Sequence, residues 1–536
     1  VNRQDEDTNV KLTATIKMAG GDRTKDFNVT VKKKADVAPM TDYVFAYFIG
    51  NGAGEEQIYF ATSQDGLDWE ELNDGKPVLE SDMGTTGLRD PFILRSPEGD
   101  KFYLIATDLC IAKNGNWPYA QRNGSQAIMV WESTDLVNWT KQRMMTISAG
   151  IEAGCTWAPE IFYDEEAGEY MVFWASKVKS DDYAKQRLYY CKTRDFYTFT
   201  EPVVWIDESH STIDSTVVRD VDGTYYRFTK NESKTYIYLE KSDSLLGEWT
   251  MVNSNIASGV EGPCCFAFNE DDIEKAGAKW CLLQDAFGAG GYYPMITDDL
   301  SSGEFKQISA NLPSRPRHGT VMNITAEEYR ALTAKWGKPS LAANSLPTVV
   351  ETGYTLPAEA DVVYAGETKK VPVTWDKTAD DFKEPGTVTV TGTFTVDGKE
   401  GTSTKTIEVI AISEDWIYFI DSGVGSWNKD LSQSAYFDLV AKKADLRNVL
   451  PDQIYTEGSW GINNPKDSSK EGYANAGNRT SATNSIYTNG WWAKNGKACD
   501  YIIPLENGTY EATGYFAEWW ETTRPIKFYA QYTDAS

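Results

Sequence analysis

The sequence lacks a long apolar run, a metal-binding cysteine pattern and an excess of basic residues. No stretch of about 18 apolar residues occurs, so no segment is expected to cross a membrane as a helix. The seven cysteines lack the CxxC and Cys/His spacings of zinc sites, and we interpret most of them as small buried hydrophobic residues. The formal net charge of −27 argues against nucleic acids and anionic membranes as partners, whereas a neutral polysaccharide remains acceptable.

The length and the first residues suggest part of a larger, modular protein. A chain of 536 residues is too long for one hydrophobic core and predicts about three or four domains. The chain starts within a strand-like segment and has no signal peptide, so we expect it to be a fragment. Residues 1–37 are predicted to be the C-terminal part of an immunoglobulin-like β-sandwich.

A repeated turn sets the predicted architecture of residues 41–336. Each copy begins with Ser or Thr, continues through Asp or Gly, and ends in an aromatic residue that can fill a gap between sheets. The five copies are Ser63–Trp69, Ser133–Trp139, Thr193–Phe199, Ser242–Trp249 and Thr297–Phe305. Their spacing is typical of the blades of a β-propeller. We therefore predict an all-β fold with a five-bladed propeller.

The two ends of this region complete each other. The turn at Ser63 follows two strand-like runs but no inner strand, and the segment Arg317–Ile324 reads as an inner strand with no outer strands after it. Pairing both ends in one blade would leave no free sheet edge. The ring is therefore predicted to close through its first and last strands, and a helical stretch is predicted at Ala326–Trp336.

Two further β-modules are predicted after the propeller. Residues 347–412 contain strictly alternating strands and resemble the bacterial immunoglobulin-like spacers of cell-surface polysaccharide enzymes. Residues 413–536 suggest an incomplete β-sandwich with a loose resemblance to carbohydrate-binding modules. Its tryptophans would either stack on sugar rings or belong to the core: Trp460, Trp491, Trp492, Trp519 and Trp520.

Carboxylates stand at the starts of several predicted inner strands. Inner strands of a propeller run along the central axis, so Asp90, Asp214, Glu261 and His318 should meet at one end of the ring. Three carboxylates in one pocket favour general acid and base catalysis, because repulsion and burial can keep one protonated while another is ionised.

These segments resemble glycoside hydrolase family 43, five-bladed propeller enzymes that act on arabinose- and xylose-containing polysaccharides. The resemblance rests on Asp90-Pro-Phe-Ile93, Ile213-Asp214 and Glu261-Gly-Pro263, in the order of the family. It implies inversion at the anomeric carbon, with Asp90 as base, Glu261 as acid, and Asp214 orienting the acid and tuning its pKa. Two departures are the residues preceding Asp90, which the ring closure explains, and Ser215 where Pro is commoner.

Further site residues are predicted around this triad. Trp157 and Glu160 belong to a second-blade motif of the family, and Glu160 is assigned to substrate contact or to blade packing. Arg89 would bind a sugar hydroxyl or pair with a carboxylate. Loops carrying Trp117 and Phe287 are candidates for sugar contacts.

The resemblance also implies a structural calcium ion on the axis of the propeller. In the related arabinanases a His-Gly motif on the axis contacts a cation directly or through water, which points to His318. The alternative is a histidine satisfied by hydrogen bonds alone. No cofactor is expected for the chemistry itself.

The leading hypothesis is a secreted or cell-surface bacterial α-L-arabinofuranosidase, acting as a monomer on plant polysaccharides. β-Xylosidase, endo-arabinanase and exo-β-galactanase activities of the same family are alternatives. A non-catalytic carbohydrate-binding propeller is a second class. A sialidase, suggested by the turn at Ser63, is disfavoured because it needs a Tyr nucleophile, three arginines and six blades.

Overall fold

The computed structural model describes residues 6–288, 290–420, 422, 434–443, 445–448, 452–463, 474–478, 489–493, 498–514 and 529–530. The chain divides into two compact units: residues 1–339 with 363–368, and residues 340–362 with 369–536. Of the predicted tryptophans, Trp519 and Trp520 lie outside the described residues.

The first unit starts with an antiparallel hairpin of β1 (Thr8–Ile16) and β2 (Arg23–Val31). The register pairs Leu12 with Phe27 and Val10 with Val29, so the apolar side chains share one face of the ribbon. Leu12 and Phe27 are 48% and 50% exposed. Residues 1–37 as the end of a larger sandwich remain a prediction.

Five four-stranded antiparallel sheets follow and form the predicted blades. The strands before the first complete blade are β3 (Met40–Phe48), β4 (Tyr59–Ser63) and β5 (Trp69–Glu71). Blade 1 contains β6 (Leu88–Arg95), β7 (Phe102–Asp108), β8 (Ala127–Ser133) and β9 (Arg143–Thr146). Blade 2 contains β10 (Trp157–Asp164), β11 (Glu169–Ser176), β12 (Arg187–Thr193) and β13 (Val203–Ile206). Blade 3 contains β14 (Thr212–Arg219), β15 (Tyr225–Asn231), β16 (Tyr236–Ser242) and β17 (Thr250–Ser258). Blade 4 contains β18 (Glu261–Ala267), β19 (Trp280–Ala286), β20 (Gly291–Thr297) and β21 (Lys306–Gln307).

Blade 5 closes the ring as predicted. Its inner strand β22 (Arg317–Thr325) pairs with β3, and the order of the sheet is β22, β3, β4, β5. The last inner strand is therefore completed by the first three strands of the ring. The inner strands of neighbouring blades also contact one another, which gives the ring its continuous wall.

The repeated turns are built by side-chain capping. The hydroxyl of Ser63 accepts hydrogen bonds from the N–H groups of Asp65 and Gly66, and the Asp65 carboxylate accepts two more from Leu67 and Asp68. Trp69 then folds back and donates its indole N–H to the carbonyl of Gly66. Short side chains that form hydrogen bonds with the nearby backbone favour such turns. The repeat could therefore be recognised in the sequence.

Short helices fill the connections of the first unit. α1 (Ile111–Asn114) and α2 (Trp117–Asn123) lie between β7 and β8, and α3 (Ile273–Ala276) lies between β18 and β19. α4 (Ala326–Trp336) follows β22 with the predicted bounds, and a capping box formed by Thr325 and Glu328 starts it. The 3₁₀ turns are Asn73–Gly75, Ala149–Ile151, Lys179–Asp181, Glu270–Asp272, Leu300–Ser302 and, in the second unit, Ala379–Phe382.

Within residues 340–410 lies a six-stranded sheet in the order β23, β25, β26, β27, β28, β24. Its strands are β23 (Ser340–Leu341), β24 (Val349–Glu351), β25 (Glu359–Tyr364), β26 (Glu367–Trp375), β27 (Gly386–Val396) and β28 (Lys399–Ile410). The elements after it are α5 (Ser434–Lys443), β29 (Gly461–Ile462), β30 (Ala474–Asn478), β31 (Asn489–Ala493) and β32 (Tyr501–Ile502). Trp460 is buried, whereas Trp492 is 37% exposed.

The prediction that the cysteines are buried is confirmed for six of the seven. All seven cysteines are free; six are buried and Cys499 is exposed. Within the described ranges, no helix is long and apolar enough to span a membrane.

Candidate active site

All five inner strands carry one extra residue at the same place. The pairing register shifts between Arg89 and Phe92, Trp157 and Glu160, Ile213 and Ser215, Glu261 and Cys264, and Arg317 and Thr320. In four strands the residue at the shift has a positive φ: Asp90, Ala158, Asp214 and Gly262. Such bulges change the direction in which side chains point from a strand, and here they recur at the same end of every blade.

Asp90 is held as an anion at this end of the ring. Thr107 donates a hydrogen bond of 2.8 Å to its Oδ2, and Nδ1 of His318 lies 3.4 Å from its Oδ1. Burial raises the pKa of Asp90, but the contact with His318 and the charge of Arg89 outweigh burial and hold it below 3.8. An ionised carboxylate is what a general base requires.

Asp214 connects blade 3 to blade 4. Its Oδ2 accepts a 3.1 Å hydrogen bond from the N–H of Gly262, the residue after the predicted acid, and Nδ1 of His318 lies 3.7 Å from its Oδ1. Burial raises the pKa of Asp214 to about 6, and the charges of Glu261 and Asp90 add to the effect, against His318 and Lys230. This position suits the orienting role implied for Asp214.

Glu261 has cations on both carboxylate oxygens. Arg317 donates a 2.8 Å hydrogen bond to Oε1, and Lys230 donates one of 2.8 Å to Oε2. Burial raises the pKa of Glu261, but Lys230 and Arg317 outweigh burial and lower it below 4.5. The predicted acid is therefore an ionised group in this structure.

Sequence reasoning missed Lys230 and the role of Arg317. Lys230 lies on β15, directly opposite Ile213 in the register, and is 3% exposed. The available signal was a lysine in a strand rich in aromatic residues, Tyr225–Asn231, because buried lysines need a charged partner. Arg317 stood in the predicted inner strand next to His318 without an assigned role.

Arg89 forms an ion pair with a carboxylate, which was one of the two roles predicted for it. Its Nη1 lies 3.0 Å from Oε1 of Glu56 and donates a 2.6 Å hydrogen bond to the side-chain carbonyl of Asn51. Its guanidinium also lies 4.3 Å from the centre of the Phe48 ring and 5.3 Å from that of Trp117. The guanidinium of Arg89 thus supports the aromatic rings of Phe48 and Trp117.

The predicted aromatic contacts differ in exposure. Trp117 and Phe287 are 39% and 44% exposed, whereas Trp157 is 7% exposed and packs edge-on against Trp117 at 5.9 Å. Trp117 and Phe287 can therefore offer ring faces to a ligand, while Trp157 supports Trp117. The faces of exposed aromatic rings suit stacking on apolar surfaces of a ligand.

Glu160 is buried inside the ring. It is 5% exposed, and its Oε2 has no hydrogen-bond partner among the residues described. Burial raises its pKa to about 8, against the charge of His318. Of the two predicted roles, this burial favours blade packing.

His318 faces two carboxylates. Burial lowers its pKa, but Asp214 and Asp90 outweigh burial and raise it to about 9, so the imidazole is protonated near neutral pH. Calcium takes six to eight oxygen ligands, and no group of three His, Cys, Asp or Glu in the described ranges is arranged to hold a metal ion. These residues do not form a calcium cage, and calcium near His318 stays a prediction.

Comparison with protein families gives two matches. A family model described as a probable glycosyl hydrolase domain, of the glycosyl hydrolase 43-related type, matches residues 38–330. A model of a bacterial Ig-like domain, group 4, matches residues 344–398.

A curated relative and several solved structures are similar to the chain. An alpha-L-arabinofuranosidase of Bifidobacterium longum subsp. longum is 34% identical over 441 residues, which cover 68% of this chain and 40% of the relative. The chain thus spans about 40% of the length of that relative. An exo-beta-1,3-galactanase from Clostridium thermocellum shares 14% identity, with 54% of this chain and 59% of that one covered and a TM-score of 0.31. An alpha-L-arabinofuranosidase from Lactobacillus brevis shares 12% identity, with 62% and 92% covered and a TM-score of 0.29.

Proposed function

The chain belongs to the glycosyl hydrolase 43-related family, whose model matches more than half of it, and we propose that it is an inverting α-L-arabinofuranosidase. In this proposal it removes terminal arabinofuranosyl residues from plant polysaccharides or oligosaccharides. The similarity to the arabinofuranosidase of B. longum supports the choice of sugar.

One observation carries the proposal. Carboxylates from blades 1, 3 and 4 meet at one end of the ring and are joined through His318 and the N–H of Gly262. Their pKa values are displaced in different directions: that of Asp90 is lowered and that of Asp214 is raised to about 6. Carboxyl groups with separated pKa values are typical of acid–base sites.

The reaction follows from these roles. Asp90 takes a proton from a water whose oxygen attacks the anomeric carbon, while the bond from that carbon to the leaving oxygen breaks. Glu261 gives its proton to the leaving oxygen and becomes a carboxylate, which Lys230 and Arg317 are placed to stabilise. Asp214 holds the backbone next to Glu261 throughout.

The specificity for the terminal sugar is tested with p-nitrophenyl α-L-arabinofuranoside, β-D-xyloside and β-D-galactoside, together with arabinan and arabinogalactan. We expect release of arabinose from the first glycoside and from the polymers. Proton NMR of the first product should show the inverted anomer. Release of xylose or galactose without arabinose would contradict the proposed sugar but leave the reaction type standing.

The roles of the carboxylates are tested in Asp90→Asn and Glu261→Gln. Each should lower kcat/KM for arabinan by about 1,000-fold or more, because each removes a proton-transfer group, while the melting temperature changes little. Glu304→Gln, an exposed glutamate of the same blade as Glu261, is the control and should keep full activity. Full activity in both test variants would refute the assignment, and binding without hydrolysis by the unmodified protein would favour a carbohydrate-binding propeller.

We also propose that the protein acts outside the cell or at the cell surface as a monomer. The immunoglobulin-like module that follows the propeller in the sequence supports the location, and the closed ring, in which β3 completes the last blade, supports the oligomeric state. Fractionation of the source cells and light scattering of the purified protein would test these two points.

A further inference from the structure

The arrangement around Glu261 presents a chemical problem. A general acid must carry a proton on an oxygen that faces the leaving group, yet both oxygens of Glu261 accept hydrogen bonds from cations. At least one of these contacts has to weaken before Glu261 can hold its proton and deliver it.

Arg317 is the more firmly held of the two cations. Its Nε lies 2.5 Å from Oδ2 of Asp285, whose side chain is fully buried. The guanidinium is a planar fork with fixed donor directions, so a pair of this kind resists rearrangement. Arg317 is therefore expected to keep its place beside Glu261.

Lys230 has a second carboxylate within reach. Its Nζ donates a 2.8 Å hydrogen bond to Oε2 of Glu261 and forms an ion pair of 2.5 Å with Oε2 of Glu232. The side chain of Lys230 is 4% exposed, whereas that of Glu232 is 39% exposed. The aromatic ring of Phe287 lies with its centre 5.3 Å from Nζ. A lysine is a compact charge on a flexible stem, so small movements can shift it between the two carboxylates.

We propose that Lys230 is a positioning residue for the acid Glu261, and that Glu232 competes with Glu261 for its ammonium group. This inference rests on the proposed function of Glu261 as proton donor. When Lys230 is drawn towards Glu232, Glu261 binds its proton. When the proton has passed to the leaving oxygen, Lys230 donates to the new carboxylate and keeps its own three protons.

Removing the charge of Lys230 and removing the charge of Glu232 should shift the pKa of Glu261 in opposite directions. Removing the positive charge of Lys230 raises the pKa of Glu261, because a neighbouring cation favours the carboxylate. Removing the negative charge of Glu232 leaves Lys230 wholly to Glu261 and lowers that pKa. The other charged groups that interact with Glu261 or Lys230 stay unchanged in both cases: Asp214, Asp285, Arg317 and His318.

The pH dependence of kcat/KM tests the proposal in the full chain. In Lys230→Met the alkaline limb should move up by about one pH unit, and in Glu232→Gln it should move down by roughly half a unit. Lys234→Met removes the same charge from an exposed site in the adjoining turn, and its profile should match that of the unmodified protein.

The leaving group provides a second readout that a merely structural role would not move. In Lys230→Met, kcat for an arabino-oligosaccharide should fall by about tenfold or more. The poor leaving group of this substrate depends on proton transfer from Glu261, and the carboxylate that this transfer forms has lost the hydrogen bond from Lys230. Hydrolysis of the p-nitrophenyl glycoside, whose leaving group needs little protonation, should fall less than about threefold. Lys230→Arg keeps the charge and should restore most of the limb position.

Specific outcomes would overturn the proposal. An alkaline limb that stays in place in both Lys230→Met and Glu232→Gln, or limbs that move in the same direction, refutes the competition for Lys230. If Lys230→Met fails to fold, Glu232→Gln and Lys230→Arg still decide the matter, because they keep the buried amine or its charge. These experiments use whichever glycoside the unmodified protein hydrolyses, so a wrong sugar and a wrong role for Lys230 give different results.

Discussion

Charge at single residues decides which group of this site can do which task. Asp90 is held as a carboxylate, and Glu160, on the neighbouring inner strand, is held as a neutral acid with a pKa of about 8. The difference arises because Asp90 has Thr107 and His318 as partners, whereas Glu160 is buried with one oxygen unpartnered among the described residues. Two carboxyl groups of similar intrinsic acidity thus differ through their surroundings.

The buried proton of Glu160 should make stability depend on pH. The folded protein holds this proton up to a pH of about 8, whereas the unfolded chain releases it near 4.5. Its contribution to the free energy of unfolding is therefore complete below pH 4.5 and falls as pH rises to about 8. In Glu160→Gln the loss of stability between pH 5 and pH 8 should be smaller by roughly 2 to 4 kcal/mol.

Urea unfolding of the unmodified protein and of Glu160→Gln at pH 5, 6.5 and 8 measures this difference. Glu166→Gln, an exposed glutamate in the turn after the same strand, should keep the original pH dependence. Equal pH dependence in the unmodified protein and in Glu160→Gln would show that Glu160 is not a buried acid.

At the scale of elements, the bulge shared by the inner strands builds the site. In blade 4 the residue at the bulge is Gly262, with φ of 52°. A Cβ atom there would lie 2.6 Å from Cγ of His318. The absence of a side chain at Gly262 is therefore what allows β18 and β22 to approach, and with them Glu261 and His318.

Gly262→Ala should displace His318 and lower kcat/KM by about 100-fold or more, because misplaced groups no longer align for proton transfer. It should also lower the free energy of unfolding by about 2 kcal/mol or more through backbone strain and overpacking. Steady-state kinetics and urea unfolding measure both effects.

Gly277→Ala separates backbone strain from the steric clash. Gly277 has φ of 71° in the same blade, but nothing lies within 4 Å of an added Cβ. This variant should lose about 1 kcal/mol of stability and keep full activity. If Gly262→Ala behaves like Gly277→Ala, the close approach to His318 is not needed for catalysis.

At the scale of the catalytic unit, closure joins the first and last strands of the ring. β22 pairs with β3, and Arg95 at the end of β6 forms a two-point ion pair with Glu328 of α4, with distances of 2.6 and 2.7 Å. The two side chains are 13% and 17% exposed. Glu328 also accepts a hydrogen bond from the N–H of Thr325, so the pair ties blade 1 to the helix after the closing strand.

Arg95→Met should lower the free energy of unfolding by about 2 to 3 kcal/mol, because it leaves Glu328 partly buried without its cation. Lys101→Met in the same blade breaks a more exposed pair with Glu132 and should cost less than about 1 kcal/mol. Both variants should keep normal kcat/KM below their melting temperatures, as measured by thermal unfolding and kinetics. A loss in Arg95→Met no greater than in Lys101→Met would refute the role of this pair in closure.

The sequence by itself determined the ring and its closing strands, because these depend on local chemistry. Turns such as Ser63–Trp69 are stabilised by their own side chains, and alternating strands between such turns leave few other arrangements. Helix α4 was likewise predicted from the sequence, with the bounds Ala326–Trp336 that the structure shows. The three carboxylates were predicted because each stands at the start of an inner strand, and their roles were implied by the resemblance of the motifs around Asp90, Asp214 and Glu261 to those of glycoside hydrolase family 43.

Only the tertiary structure decided which charges surround those carboxylates. Lys230 comes from a middle strand, and Glu56, the partner of Arg89, from a segment ahead of β6. Their places depend on strand register and on packing between segments distant in sequence, which periodicity does not encode. The ionisation of Glu261 is set by these long-range contacts, since an electrostatic effect depends on distance and burial rather than on position along the chain.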